Sequence, residues 1–70
     1  MADVEAHITG TVWKIEVKVG DAVEPGAILV ILESMKMEMP VEAPEKGTVK
    51  EVRCKEAQAV GEGDVLVVLE

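Results

Sequence analysis

One primary amine stands apart in this chain. Lys36 lies between two methionines, in the run Glu33-Ser34-Met35-Lys36-Met37-Glu38-Met39-Pro40. A lysine ammonium is not a nucleophile until something removes its proton, and no His or Cys lies nearby in sequence to do so. Glu33 and Glu38 could be read as an acid/base pair. With 14 acidic residues in the chain, they are better read as solvating the sides of a hairpin. The chemistry left to Lys36 is that of a handle. Met35 and Met37 put flexible, polarizable apolar surface beside it, which suits contact with partners. Met39 is expected in the core. His7 has no second His or Cys at ligand spacing, so no metal site is expected. Cys54 alternates with Val52 and reads as a small buried hydrophobe. Gly61-Glu62-Gly63 precedes a strand and not a helix, so it is no phosphate-binding loop. No catalytic residue is assigned.

What lifts Lys36 above an ordinary surface lysine is its place. Residues 4–33 and 41–70 are one unit written twice, at an offset of 37, with fourteen of thirty positions identical. Val4-Glu5-Ala6 matches Val41-Glu42-Ala43, and Gly10-Thr11-Val12 matches Gly47-Thr48-Val49. Leu32-Glu33 matches Leu69-Glu70, so Ser34 to Pro40 is the connector without a counterpart. Two thirty-residue units cannot each bury a face alone, so they must pack on one another about an approximate two-fold axis. Glu33 corresponds to the chain end, Glu70. Lys36 is therefore expected at one end of the domain, with Met1 and Glu70 close together at the other.

The period of the apolar residues is two. Ile15, Val17 and Val19 alternate with charged residues. So do Met37, Met39, Val41 and Ala43, and so do Val52 and Cys54. These read as half-buried strands. Ile28 to Leu32 and Val65 to Leu69 are apolar on both faces and read as central strands covered on both sides. Turn signals separate them: Gly20-Asp21, Glu24-Pro25-Gly26, Pro44 to Gly47 and Gly61 to Asp64. No window supports a helix of useful length. The chain, residues 1–70, is expected to be one all-β domain of about eight short strands. Val12 and Ile15 are three apart, as are Val49 and Val52, so a bulge is expected in each half if all four point inward. Trp13 then takes the place of Lys50 at the surface; the other placement, inward behind Ile15 and Val17, stays open. If Glu33 pairs with Glu38, the hairpin loop is Met35-Lys36. Such loops favour Asn-Gly or Asp-Gly, so symmetry and not local turn chemistry places this turn.

The formal charge is −7, from 14 acidic and 7 basic residues. Phosphate backbones bind through Lys and Arg, so nucleic acid and anionic membrane are set aside as partners. The acidity keeps the chain soluble or steers it toward basic surfaces. A single cysteine and an N-terminus without the basic and apolar parts of a signal peptide fit the cytoplasm. Met1 with its acidic start fits a standalone chain, and an excised piece of a larger protein stays open.

The run Glu33 to Glu38 resembles the attachment motif of biotinyl domains, the biotin carboxyl carrier modules of the biotin/lipoyl attachment family. The resemblance extends through Gly10-Thr11-Val12, Val19 to Val23, Pro25-Gly26, Leu29 to Glu33, and Ala43-Pro44 with Gly47. It implies a flattened β-barrel, a barrel-sandwich hybrid of two four-stranded sheets with pseudo-two-fold symmetry and the lysine on a hairpin turn. It implies covalent biotin on Lys36, attached by biotin protein ligase, with Met35, Met37, Glu33, Ser34 and Glu38 as recognition residues. The partners it implies are biotin carboxylase and carboxyltransferase domains or subunits. Lipoyl domains share the fold, but Met35-Lys36-Met37 looks biotinyl. An unmodified barrel-sandwich module used for protein contact is the remaining alternative. Glu24-Pro25-Gly26 leaves no room for the protruding thumb of some relatives, so the chain resembles the thumbless type. Three positions depart from the pattern: Ser34 for the more usual Ala, His7-Ile8-Thr9 before Gly10, and Ala57-Gln58 where the repeat has Gly20-Asp21. If that turn needs a positive φ, Ala57 is strained.

Overall fold

The computed structural model describes residues 2–70, and Met1 lies outside the described residues. The strands are β1 Ala2–Glu5, β2 Gly10–Ile15, β3 Ala22–Val23, β4 Ile28–Ser34, β5 Met37–Glu42, β6 Gly47–Val52, β7 Ala59–Val60 and β8 Val65–Leu69. They form two four-stranded antiparallel sheets, ordered β1-β8-β6-β3 and β5-β4-β2-β7. Exchanging residues 37 apart turns the first sheet into the second, and in the structure this equivalence reaches into the connector, Ala2 to Met39 and Asp3 to Pro40. The registers obey the same rule. Asp3 pairs with Val68 as Pro40 pairs with Ile31, and Val12 pairs with Leu32 as Val49 pairs with Leu69. Ala2 pairs with Leu69, and Leu32 with Met39, the equivalent pair, opens the connector; the expected place of Met1 beside Glu70 lies outside the described residues. The result is a flattened barrel measuring 31 × 18 × 17 Å.

The core between the sheets is built in symmetric pairs: Leu29 with Leu66, Leu32 with Leu69, Val12 with Val49 and Val30 with Val67, all at most 1% exposed. Each such side chain contributes about 1.5–3 kcal/mol by leaving water, which is how a chain this small holds together without a disulfide. Cys54 is buried with them. Both expected bulges are present, between Val12 and Lys14 and between Val49 and Glu51. The bulge turns Trp13 outward, 42% exposed, to the place Lys50 holds in the other half.

Three expectations need correction. The alternation from Ile15 to Val19 is not all strand: β2 ends at Ile15, Val17 is half-buried and Val19 is exposed. Likewise β6 ends at Val52, although Cys54 stays buried. In both places the chain is crossing from one sheet to the other. Glu16 still donates to Leu29 at 2.9 Å, but four residues later Gly20 donates to Val49 of the other sheet. A crossing segment stays extended without a ladder of its own. Second, Met39 pairs with Leu32 but is only half-buried, because it sits on an edge strand near the exposed turn. Third, β4 and β8 are central, yet β4 is covered on one face only. Ile28 is exposed and Ile31 half-buried, since the outer face of a two-layer fold meets water.

Two backbone positions make the symmetry testable. Gly20 and Ala57 are equivalent, and both have positive φ, +98° and +72°. Each donates its N–H across to the opposite sheet, Gly20 to Val49 and Ala57 to Val12. The next turn position is also shared: the Asp21 carboxylate accepts from Lys18 N–H, and the Gln58 side-chain carbonyl accepts from Lys55 N–H. An L-residue in that region costs about 1–2 kcal/mol, partly offset by the greater freedom glycine has when unfolded. Ala57→Gly is therefore expected to stabilise the domain by about 0.5–1 kcal/mol, and Gly20→Ala to destabilise it, in urea titrations. A lower midpoint for Ala57→Gly would refute the strain argument. Gly10 is needed for a different reason. A Cβ there would stand 2.5 Å from the Glu33 carbonyl oxygen, inside the β2–β4 pair. At Gly47 the equivalent contact, with the Glu70 carbonyl oxygen, is longer, 3.0 Å, so less has to shift. Gly10→Ala is expected to cost about 1–3 kcal/mol, clearly more than Gly47→Ala in the same titration.

Candidate functional site

The connector is the end of a hairpin. β4 and β5 pair through Leu32–Met39, Glu33–Glu38 and Ser34–Met37, which leaves Met35 and Lys36 as a two-residue loop. Their φ angles are +53° and +62°. Two successive left-handed residues are the signature of a type I′ turn, whose twist matches that of the flanking strands. The usual occupants are Asn and Gly, and here the turn is made by two long side chains at an intrinsic cost of about 1–2 kcal/mol each. The Leu32 side chain at the base is fully buried, so the hairpin springs from the core while its tip stands in water.

At that tip Met35 is 92% exposed and Met37 59%, the most exposed large apolar side chains apart from Val19. Lys36 is exposed between them. The ion pairs among the described residues are Lys18–Asp21 and Glu51–Arg53, and Lys36 is in neither. Glu33 and Glu38 face each other directly across the two strands, both exposed, and Ser34 is half-buried beside Met37. Like charges at paired positions oppose the pairing slightly, so folding does not call for both. All six residues singled out in the connector thus come together on one hairpin end. The remaining candidates stand elsewhere. His7 is exposed in the loop after β1. Cys54 lies in the core, and burial pushes its thiol pKa up, away from nucleophilic use. No group of three metal-ligating side chains occurs among the described residues. The titratable groups at the hairpin end are Lys36 and the facing carboxylates Glu33 and Glu38, with no His or Cys among them. The arrangement can present an amine, and apolar and acidic surface around it, to another protein.

Sequence reasoning missed one feature near the site. In the ladder Lys14–Ile31–Pro40, on the outer face of the hairpin's own sheet, apolar groups lie open beside exposed Trp13. The Lys14 ammonium sits 5.6 Å from the centre of the Trp13 ring. The equivalent ladder on the other sheet is Glu51–Val68–Asp3, where Val68 is only 2% exposed. There Arg53 binds Glu51 at 2.9 Å, and this contact lowers the Glu51 carboxyl pKa and raises that of Arg53. Only a comparison of the two sheets, residue by equivalent residue, brings the difference out.

Known proteins resemble this chain along its whole length in fold and over its greater part in sequence. The family model for biotin/lipoyl domains, described as "Biotin-requiring enzyme", matches residues 1–69. A biotin/lipoyl attachment protein of Bacillus subtilis is 52% identical over 40 residues, 57% of this chain and 55% of that protein. A biotinylated protein, TB7.3, of Mycobacterium tuberculosis is 49% identical over 41 residues, 59% of this chain and 58% of that one. The aligned part thus spans little more than half of these curated relatives. Among solved structures, the urea carboxylase of Kluyveromyces lactis superposes with a TM-score of 0.93 at 36% identity, covering 99% of this chain and 6% of that one. A single-chain, multi-domain long-chain acyl-CoA carboxylase gives 0.89 at 35% identity, covering 94% of this chain and 6% of that one. The fold is therefore one that recurs as a small part of much larger carboxylases. Matched from end to end by the family model, the chain belongs to the biotin/lipoyl attachment family.

Proposed function

We propose that this domain is a biotin carboxyl carrier, with Lys36 as the residue that biotin protein ligase modifies. The observation that carries the reading is the tip itself. A lysine stands at the one segment without a counterpart in the repeat, on a turn whose backbone would be better served by Asn-Gly. Strain accepted at such a position is a mark of function. The Met35 and Met37 flanks, and the biotinylated relatives, favour biotin over a lipoyl group.

The residues fit that cargo. Lys36 is exposed at the turn, and the methionines offer adaptable apolar contact next to it. The bond formed is an amide between the Lys36 Nζ and a carboxyl carbon. The nitrogen gives up two protons and its charge, taking the chain from −7 to −8. No His or Cys stands beside Lys36, so the ligase takes the proton and supplies the carboxyl as an acyl-adenylate, from which AMP leaves as the amide forms. Glu33 and Glu38, paired on one face, mark the hairpin for basic groups of the ligase, while Ser34 fills the step between strand and turn. The chemistry that biotin supplies when bound is carriage of a carboxyl group from a biotin carboxylase site to a carboxyltransferase and its acceptor. The domain's own part is to hold the carried group near both sites, raising its effective concentration. Those partners work in the cytoplasm in this reading, and the domain itself cuts and forms no bonds.

Lys36→Arg keeps the charge and should leave stability within about 0.5 kcal/mol, because the tip is exposed. It is expected to abolish modification in a biotin-competent host, read as intact mass. A biotinyl increment that persists in Lys36→Arg sinks the assignment; in the parent chain, a lipoyl increment supports the lipoyl alternative and no increment the unmodified module. Met35→Asn tests the strain itself. It is expected to raise stability by about 0.5–1 kcal/mol in urea titration by giving the left-handed position a residue that tolerates it.

A further inference from the structure

The two sheets of the barrel each end in an unpaired strand edge, and two of these edges border one groove. β1 is paired only with β8, and β5 only with β4. Between them runs an open groove of about 560 Å³. Its lining is symmetric: Val4 and Val41, both buried, are equivalent residues, and so are Glu5 and Glu42. The groove therefore straddles the pseudo-two-fold axis, and where its banks differ the fold does not require the difference.

They differ at two positions. On the β5 side stand Pro40 and Pro44, and their equivalents on the β1 side are Asp3 and His7. Proline has no N–H to give and is a common device for blocking an edge. Pro40 thus takes one donor from the edge of β5, where its equivalent Asp3 keeps an N–H on β1; Pro44 and His7 lie just beyond these strands. The charge of the groove is one-sided too. Asp3, Glu5 and Glu42 line it, and no Lys or Arg does so among the described residues. Arg53 influences Asp3 but is committed to Glu51, in the same sheet.

We propose that this groove docks an extended, basic peptide segment of a partner protein, which adds as a strand to the free edge of β1. The edge demands an extended backbone, and the buried valines at the floor accept apolar side chains at alternate positions. The three carboxylates demand Lys or Arg at the others. A second copy of this chain is a poor occupant, since it would bring the same carboxylates against them at a net charge of −7. β1 spans four residues, room for a strand of about 13 Å at about 3.3 Å per residue. Pro40 is four residues beyond Lys36, so a docked strand leaves the hairpin tip clear. Such a site would park the domain on a partner while its lysine stays free to move. It does not rest on modification of Lys36.

The test is an amide-resolved NMR titration of the unmodified chain with a blocked seven-residue peptide in which Lys or Arg alternates with valine. Saturable shifts centred on residues 3–5 are expected, weakened about tenfold or more between low salt and 0.5 M salt. Asp3→Asn with Glu5→Gln should weaken binding about fivefold or more. The same peptide N-methylated at alternate backbone amides keeps every charge but cannot pair as a strand, and it should not bind. Equal binding of the N-methylated peptide would reduce the site to charge alone and overturn the proposal. So would shifts centred on the hairpin, no saturation at millimolar peptide, or self-association of the chain in place of peptide binding.

Discussion

The whole architecture depends on strand exchange between the two halves of the chain. Of the six strand pairings, β1–β8, β3–β6, β2–β7 and β4–β5 join one half to the other, and only β2–β4 and β6–β8 lie within a half. Alone, each half keeps a single two-stranded pair, which is marginal in water. The central leucines, Leu29 and Leu32 with Leu66 and Leu69, are buried only when both have arrived. Pairing β1 with β8 closes a loop of nearly the full chain, which costs entropy before any reward. Short, locally marginal strands are thereby bound into one cooperative unit.

The same exchange creates the site. β4–β5 and β1–β8 are equivalent pairings, yet the first is closed by the connector and the second joins strands far apart in the chain. A doubled chain of this kind has one place where a pairing between its halves is covalently joined. That place is a hairpin tip whose base is fixed by core residues and whose end is free. Leu32 and the close approach of Gly10 to Glu33 hold the base. The turn can then carry Met and Lys at positive φ, because the ladder beneath over-determines its shape. Strain confined to two residues outside the core does not spread inward.

Much of this was legible in the chain, for a definite reason. Duplication turns a local signal into a paired one. The spacing of Val12 and Ile15 is weak evidence for a bulge, but its recurrence at Val49 and Val52 makes it firm, and both bulges exist. Gly20 likewise pointed to positive φ at Ala57, which no rule for alanine would suggest. What remained hidden depends on which sheet a segment lies against. The alternation from Ile15 to Val19 continues past the end of β2 because the crossing chain still has an inside and an outside. Alternation reports burial; only a partner strand makes a ladder. Trp13 was undecided for a related reason, since a bulge changes which way the next side chain points and its exact position cannot be read from period two.

Symmetry also separates what folding requires from what it leaves open. Equivalent core positions carry the same or nearly the same residue, since equal backbones leave equal spaces to fill. Outside the core the halves diverge: Trp13 stands for Lys50, Lys14 for Glu51, Ile31 for Val68 and Pro40 for Asp3. The first sheet covers its outer valine with charged neighbours, and the exposed Glu51–Arg53 pair among them adds little stability. Because that dressing is weak in energy, its absence on the second sheet is no defect of folding either. The open Trp13–Ile31–Pro40 face lies on the sheet that carries the hairpin, while the charged one does not. A difference between equivalent positions in one barrel has the backbone already controlled for, so it can be assigned to what each face meets. Lys36 is the limiting case, a residue with no equivalent at all, and the strength of its assignment to function comes from that.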